Sequence, residues 1–425
     1  MSKTRVGLVQ INGRFSGQHY FPYSVGILQA YAKKNLTEPE RYQFELPIFQ
    51  RLRVAEAIEL LSSVDIAFFS VYCWSEQLSL AIAKTLKQRF PSKIVVFGGP
   101  QVPRQDRPWE VETFHRQHRF IDLAVHGPGE FPFTAILERF ASGAWEEMPS
   151  VSFLDSSGSL CQTKLAPELK NLSLVPEPYL AGIFDPLMAE HSEVRWIGID
   201  ETNRNCPFEC TFCGWGLLAT KPIPRDLNEV YRVVDWFASH QIEYVFYCDA
   251  NFGIWERDVE IAEYVAGSKR RTGYPNNVSF QDGKNVEKRV YEIRKRLIAG
   301  GITTPVVISL QSIHPPTLEA IKRKNISSDA YLNNQRQFAR EGHKTMTDLI
   351  LGLPEETYDS FADGVSKVID WGQHNRIQFN NLAMVPDAEL SHRNYVKRYG
   401  IETVWTRIVN IHGQVENEEV PERQE

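Results

Sequence analysis

The sequence predicts an α/β chain in two consecutive β/α series, a doubly wound parallel sheet and then a partial barrel of six β/α units. Three observations point there. Short apolar runs alternate with helical stretches from Val6 onward. The strongest runs are apolar at every position rather than every second one, as strands covered on both faces must be. A stretch interrupted by Pro167, Pro176, Pro178 and Pro186 then separates this series from a second that begins at Arg195.

In the first series Val6–Ile11 is a strand and Val25–Lys34 a helix, followed by a strand at Tyr42–Phe49 and a helix at Val54–Ser62. Asp65–Tyr72 (Asp-Ile-Ala-Phe-Phe-Ser-Val-Tyr) is the clearest doubly covered strand. Ser75–Phe90 has helical periodicity, with Ser75 in the N-cap position and Glu76 beside it. Lys93–Phe97 is a strand ending in Gly98-Gly99-Pro100. Asp122–His126 is another, ending in Gly127-Pro128-Gly129-Glu130 ahead of a helix at Phe133–Ala141. Ligands of such sheets sit at the carboxyl ends of the strands, where these glycines fall. This flavodoxin-like (Rossmann-like) series occupies residues 1–145. A hairpin at Val151–Thr163, turning at Asp155-Ser-Ser-Gly158, and a linker fill 146–193.

Arg195–Asp200 opens the second series. Its later strands are Tyr244–Cys248, Val278–Gln281, Val306–Gln311, Thr345–Leu351 and Ile377–Leu382. Helices fit at Leu227–Ser239, Glu256–Lys269, Val286–Ala299, Pro316–Lys322, Ser328–Glu341 and Asp359–Trp371. Six units over 194–400 make a partial barrel, short of the closed eight. Residues 401–425 turn acidic and polar and read as a C-terminal tail, either frayed or the cut end of a longer chain.

Composition narrows the function class. A net charge of −6 and a pI of about 6.1 leave no global basic field, so no nucleic-acid partner is expected. No apolar run approaches the ~20 residues that span a bilayer. Met1-Ser-Lys-Thr-Arg runs straight into a strand pattern without a signal-peptide core, so a cytoplasmic location without a membrane partner is expected. Lys269-Arg270-Arg271 and Lys322-Arg323-Lys324 read as solvated helix ends whose cations offset the macrodipole, with anion binding as the other use. Cys73, Cys161 and Cys248 are scattered and read as small buried thiols, and no disulfide framework is expected.

The remaining cysteines stand together in Asp200-Glu-Thr-Asn-Arg-Asn-Cys206-Pro-Phe-Glu-Cys210-Thr-Phe-Cys213-Gly-Trp-Gly216, just after a strand. Three thiolates this close can hold a soft metal centre. Structural zinc would want a fourth Cys or His, and none follows nearby in sequence. A four-iron cluster on three cysteines leaves one iron open to a ligand.

Cys-x3-Cys-x2-Cys, with Phe212 before the last cysteine and a β/α strand before the first, resembles the radical S-adenosylmethionine (SAM) superfamily. The resemblance implies a [4Fe–4S] cluster on Cys206, Cys210 and Cys213. It also implies a SAM molecule chelated to the open iron and cleaved to a 5′-deoxyadenosyl radical. Phe212 would lie near the adenine. Tyr247-Cys-Asp249-Ala-Asn251-Phe252-Gly253 is similar to the family's Phe-x-Asp-Asp-Asn-Phe segment beside the methionine end, which assigns Asp249 and Asn251 and leaves Ala250 as a departure. Ser309-Leu-Gln311-Ser312 takes the place of a Glu-Ser strand near the ribose, with Gln311 for the carboxylate. Asp348-Leu-Ile-Leu-Gly352-Leu-Pro354-Glu-Glu356-Thr357 resembles the Gly-Leu-Pro-Gly-Glu-Thr turn near adenine, with Glu355 for a glycine, and assigns Gly352 and Pro354.

A sheet domain with Gly-Gly-Pro and Gly-x-Gly-Glu turns before the cysteine motif resembles the cobalamin-binding radical SAM enzymes over residues 5–400. That resemblance makes 1–145 the cobalamin domain and Gly98, Gly99, Pro100, Gly127, Gly129 and Glu130 its contacts, with Tyr72 and Trp74 covering the corrin. The loops Val71–Ser75 and Gly98–Pro103 would face the corrin. Asp-x-His-x-x-Gly is absent, and His19, His115, His118 and His126 lack its context, so no histidine on cobalt is expected. The implied reaction is methyl transfer to an unactivated carbon of a small molecule or peptide, with flavodoxin or ferredoxin as reductant. Ring contraction, cyclisation or rearrangement without net methyl transfer is the alternative within the family. A non-catalytic iron–sulfur or zinc ligand-sensing module is the alternative outside it. No catalytic residue is assigned.

Overall fold

The computed structural model describes residues 3–215, 221–284, 287–407 and 420–424. The chain forms two compact units, Met1–Trp196 together with Val404–Glu425, and Ile197–Thr403.

The first unit is built on strands β1 (Thr4–Val9), β2 (Tyr42–Phe44), β3 (Ile66–Ser70), β4 (Ile94–Gly98) and β5 (Leu123–Val125), in the order β2-β1-β3-β4-β5. All neighbours in this set run parallel. The side-chain period of two divides each apolar run between two cores. Val6, Leu8, Ile66, Phe68 and Val96 enter one. Val9, Ala67, Phe69, Val95 and Phe97 enter the other. Helices α1 (Tyr23–Asn35) and α5 (Glu130–Arg139) close the first face with Val25, Ala32, Phe133 and Leu137. Helices α2 (Val54–Leu61) and α3 (Glu76–Arg89) close the second with Ile58, Leu61, Leu78 and Ile82. The connections leave in opposite directions from β1 and β3, which makes their carboxyl ends the switch point where such sheets bind ligands.

Several expectations change here. Helix α4 (Pro108–Gln117) has no counterpart in the sequence reading, because only Val111 and His115 are buried and so thin a stripe leaves little periodicity. The hairpin β6 (Val151–Leu154) and β7 (Leu160–Gln162) continues the sheet as antiparallel strands beyond β5. The rest of 146–193 is packed rather than a free linker. Its prolines interrupt periodicity without preventing burial of Leu172, Val175, Tyr179, Phe184 and Leu187. Phe184 and Tyr179 meet Phe21 with ring centroids 4.9 and 5.3 Å away. The expected tail 401–425 lies partly outside the described residues, at 408–419. Its last described stretch is not frayed, since Arg423–Gln424 pairs with Thr406–Arg407 and Glu422 is buried.

The second unit carries β8 (Trp196–Asp200), β9 (Tyr244–Phe252) and β10 (Asn277–Asp282) as one parallel set. A second parallel set holds β11 (Val306–Val307), β12 (Thr345–Leu351) and β13 (Arg376–Asn381). Helices α6 (Leu227–Ser239), α7 (Arg257–Thr272), α8 (Glu287–Ala299), α9 (Ser328–Arg340) and α10 (Tyr358–Asp370) connect them. This is the partial (β/α)6 barrel. The first residue of the expected helix Val286–Ala299 lies outside the described residues. Gly198 of β8 is needed for close packing, since a Cβ there would meet the Phe237 ring of α6 at 2.8 Å.

The fourth strand is shorter than Val306–Gln311. Ile308 N donates to Met346 O and Gln311 N to Asp348 O, so three steps on one strand face two on the other. The extra residue makes a bulge, and Gln311 emerges with φ +66°. The basic run ending α7 behaves as expected, with Lys269 Nζ donating to Gly273 O and Arg270 paired to Glu263.

A buried polar chain ties the hairpin to the first sheet. Pro103 O lies 2.8 Å from His126 Nδ1, which must therefore carry the proton. His126 Nε2 then accepts from the Ser152 hydroxyl at 2.8 Å, and His115 Nε2 donates to Ser152 Oγ at 2.9 Å. Burial pushes both imidazoles from 6.5 down to about 4. Between those values the unfolded chain binds more protons than the folded one. The contribution is therefore complete above the unfolded value and is lost as the pH falls toward 4. The urea-unfolding midpoint should fall steadily from pH 7 to pH 4.5, and replacing both His115 and His126 by Asn should flatten that slope.

Candidate functional site

The cysteine loop leaves the carboxyl end of β8, and a buried carboxylate on β9 holds it. Asp249 is fully buried and accepts from Thr202 Oγ1 at 2.7 Å and Asn203 N at 2.8 Å. Burial raises its pKa well above the ordinary carboxylate range despite those two donors. Arg204 forms a two-pronged bond to Glu201, with both contacts 2.8 Å. Buried Arg225 donates from its backbone N to Thr202 O and from Nε to Glu201 O. Beneath them Asp200 is wholly buried, and desolvation pushes its pKa up to about 7 against the pull of Arg225.

The chain then turns at Asn205, whose φ is +80°, and delivers Cys206 and Cys210 into the interior, 7% and 5% exposed. Each thiol meets a donor. Asn251 Nδ2 lies 3.0 Å from Cys206 Sγ, and Lys284 Nζ lies 2.7 Å from Cys210 Sγ. The Lys284 ammonium also stands 4.3 Å from the centre of the Phe208 ring. Buried Arg323 faces the charges of Cys210 and Cys213, and donates to Ser309 O at 2.6 Å and Asn325 Oδ1 at 2.8 Å. Cys213 closes the turn, its N donating to Cys210 O at 3.1 Å. Burial raises its thiol pKa, and the charges of Cys210 and Cys206 add to that. Thr211 N bonds Ile321 O and its carbonyl receives Leu390 N, so the loop is pinned from both sides.

Beside the thiols Phe212 packs against Ile321, Ile350 and Leu353, next to the Gly352–Pro354 turn. Ser312 Oγ donates to Glu356 Oε1 at 2.6 Å. Among the described residues, Gln311 Oε1 and Glu356 Oε2 are buried acceptors without a hydrogen-bond partner. Asn251 and Phe212 thus stand with the cysteines, and Gln311, Ser312, Gly352 and Pro354 line the neighbouring strand ends. Asp249 also holds the loop, each of its oxygens accepting one bond from it.

Lys284 has no place in the sequence reading because nothing local marks it, whereas Glu356 belongs to the Gly-Leu-Pro turn named there. Arg323 was misread within a basic run. Lys322, paired with Glu389, and Lys324 lie on the surface as expected, while Arg323 is 9% exposed and stands near the thiols. Cys248 is spent internally, its Sγ donating to Asp200 O at 3.1 Å. All six cysteines are free thiols.

In the first unit, Tyr72 and Trp74 stack at the carboxyl end of β3, 4.7 Å apart and 9° from parallel. Tyr72 OH shares a 2.6 Å bond with Ser24 Oγ. Gly99 has φ +95°, and a Cβ there would meet Val71 O at 2.7 Å, so its glycine requirement is met within the sheet. Gly98 and Pro100 lie on the same turn. Gly127 (φ +72°) has open space where a Cβ would point, and Gly129 leads into α5, whose first residue Glu130 is buried.

The radical SAM superfamily model matches residues 201–367. The chain is 35% identical over 394 residues to a cobalamin-dependent radical SAM methyltransferase, TokK, of Streptomyces tokunonensis, an alignment covering 92% of this chain and 57% of that one. It is 34% identical, with the same coverage, to the 2-(S-pantetheinyl)-carbapenam-3-carboxylate methyltransferase of Streptantibioticus cattleyicolor. The chain therefore spans little more than half the length of these curated relatives. Among solved structures it shares its fold with the radical SAM methyltransferase TsrM of Kitasatospora setae, at a TM-score of 0.70 and 16% identity, covering 96% of this chain and 79% of that one. No described helix is long and apolar enough to cross a membrane.

The anchoring role of Asp249 has a direct consequence. Asp249→Leu should cost about 2–4 kcal/mol in urea unfolding, because Thr202 and Asn203 N lose their acceptor in a dry site. Asp249→Asn keeps an acceptor and should cost less than half as much.

Proposed function

We propose that this chain, which belongs to the radical SAM superfamily and within it to the cobalamin-dependent enzymes, methylates an unactivated carbon of a small molecule or peptide. The thiol loop carries this reading. Buried sulfurs that receive hydrogen bonds from Asn251 and Lys284, with the Arg323 charge beside them, suit thiolates of an anionic iron–sulfur cluster, whose potential such neighbours tune. Gln311 Oε1, buried without a partner, suits a ribose hydroxyl. The stacked Tyr72–Trp74 pair at a switch point suits the face of a flat macrocycle.

When bound, the cluster would supply the electron for reductive cleavage of SAM, and cobalamin would supply the methyl group. Cys206, Cys210 and Cys213 would hold the cluster. Asn251 and Lys284 orient the first two sulfurs, and Lys284 and Arg323 offset added negative charge. Phe212, Gly352 and Pro354 offer an apolar wall and backbone groups to adenine, and Gln311 and Ser312 face the ribose. Gly98, Gly99, Pro100, Gly127, Gly129 and Glu130 shape the cobalamin side, with no histidine on cobalt. His126 fits that reading, since both its ring nitrogens are spent on Pro103 and Ser152. A flavodoxin or ferredoxin is the reductant. The first substrate to offer is a carbapenam carboxylate of the kind named for the second relative.

Anaerobic reconstitution with iron, sulfide and hydroxocobalamin, followed by reduction with deuteriomethyl-SAM, should yield 5′-deoxyadenosine and, with a competent substrate, a product heavier by the labelled methyl. Alanine at Cys206, Cys210 or Cys213 should abolish both products. An intact cluster that yields no 5′-deoxyadenosine would refute the radical reading. Deoxyadenosine with an unlabelled rearranged product would refute methyl transfer alone. Lys284→Met should lower the cluster's midpoint potential in an EPR-monitored titration, because reduction adds a negative charge that the ammonium no longer offsets.

A further inference from the structure

A helix fourteen residues long needs acceptors for its first amides, and α3 does not find them locally. Ser75, in the N-cap position, makes no side-chain cap bond. Its hydroxyl is used on the preceding loop instead, accepting from Tyr72 N at 3.2 Å and donating to Tyr72 O at 3.3 Å. The acceptor comes from the other end of the chain. Glu422, 0% exposed, accepts from Gln77 N at 2.8 Å and Leu78 N at 3.2 Å. A buried carboxylate at a helix N-terminus gains from the macrodipole as well as from the two bonds.

The same carboxylate governs the loop ahead of the helix. Arg51, its side chain 5% exposed, donates from Nη2 to Glu422 Oε1 at 3.1 Å and from Nη1 to Trp74 O at 2.6 Å. Trp74 stacks on Tyr72, and Tyr72 is tied to Ser24. The next loop is fastened at the same place. Gln101 Nε2 donates to Glu76 Oε2 at 3.2 Å, and Gly99 lies against the Val71 backbone. Both loops at the carboxyl ends of β3 and β4 are therefore held at the first turn of α3. Removing the Glu422 charge leaves a buried guanidinium uncompensated and weakens the cap, and the guanidinium can recover its hydration only by moving away from Trp74 O.

We propose that Glu422 is a positioning residue for the corrinoid side of the protein, a cap supplied from 345 residues away that fixes the Tyr72–Trp74 stack before the ligand arrives. The inference rests on the cobalamin reading above. It assigns Glu422 no contact with the ligand.

The test uses the full chain, offered hydroxocobalamin and followed by its visible spectrum after gel filtration, with Glu422→Gln and the double variant Glu422→Gln/Ser75→Asp beside wild type. Ser75→Asp restores a local cap without restoring the anchor of Arg51. Glu422→Gln should weaken corrinoid binding about tenfold or more while cluster content and 5′-deoxyadenosine formation stay at wild-type levels. The double variant should regain thermal stability but not corrinoid affinity. Unchanged corrinoid affinity in Glu422→Gln would overturn the inference, as would full recovery of affinity in the double variant, which would leave Glu422 a helix cap and nothing more. Wild type that retains no corrinoid would count against the cobalamin reading itself, a separate failure. Should Glu422→Gln not give soluble protein, hydrogen exchange on wild type decides: slow amides at Gln77 and Leu78 support the cap, and exchange at the open-chain rate sinks it.

Discussion

A carboxylate removed from water must find donors, and where it finds them decides what the neighbouring backbone can do. At the head of the second unit Asp249 meets that demand with Thr202 and Asn203 N. The loop carrying the three thiols is thereby fixed to the second strand of its sheet before any ligand is considered. The other features of the site follow. Asn251, two residues along the same strand, arrives at Cys206, and the opposite side of the loop is held by Ile321 and Leu390. A rigid scaffold presenting soft ligands at strand ends can hold a cofactor without paying again to order them.

The two units solve one problem in two ways. Parallel strands end in bare carbonyls and turning backbone, and helices begin with bare amides, so polar groups concentrate where ligands bind. In the second unit the satisfying groups come from adjacent strands and loops. In the first, one of them comes from Glu422, across nearly the whole chain. The His115–Ser152–His126 chain does similar service at the hairpin, and both ring nitrogens of His126 are taken up in it.

Much of the architecture was legible in the sequence because it is written locally. Runs such as Ile66–Ser70 and Ile94–Gly98 are apolar at consecutive positions, and only a strand with a core on each face uses such a run fully. The cysteine spacing was equally legible, since three thiols within one loop need no knowledge of what packs on them. What could not be read was partnership over distance. The bonds by which Asp249 anchors the thiol loop are of this kind. Arg323 looked like one cation in a solvated run, yet its neighbours in space are thiols. Ser75 looked like the cap of α3, and its hydroxyl is occupied one turn earlier. The bulge that lifts Gln311 into a left-handed conformation depends on the register with β12, which no local pattern encodes.

The placement of Glu422 also sets an order of events during synthesis. Every strand of the first sheet has been made once Gln162 has left the ribosome, so the sheet can collapse early, as amino-terminal domains do. Its α3 amides and the Arg51 guanidinium lack this partner until Glu422 emerges, on the order of tens of seconds later at ordinary elongation rates. The nascent first unit therefore waits in an unlatched form, with its ligand-side loops loose, and tightens only after the unit carrying the thiols has been completed. The carboxylate that latches these loops thus reaches them only after the thiol-bearing unit has been made.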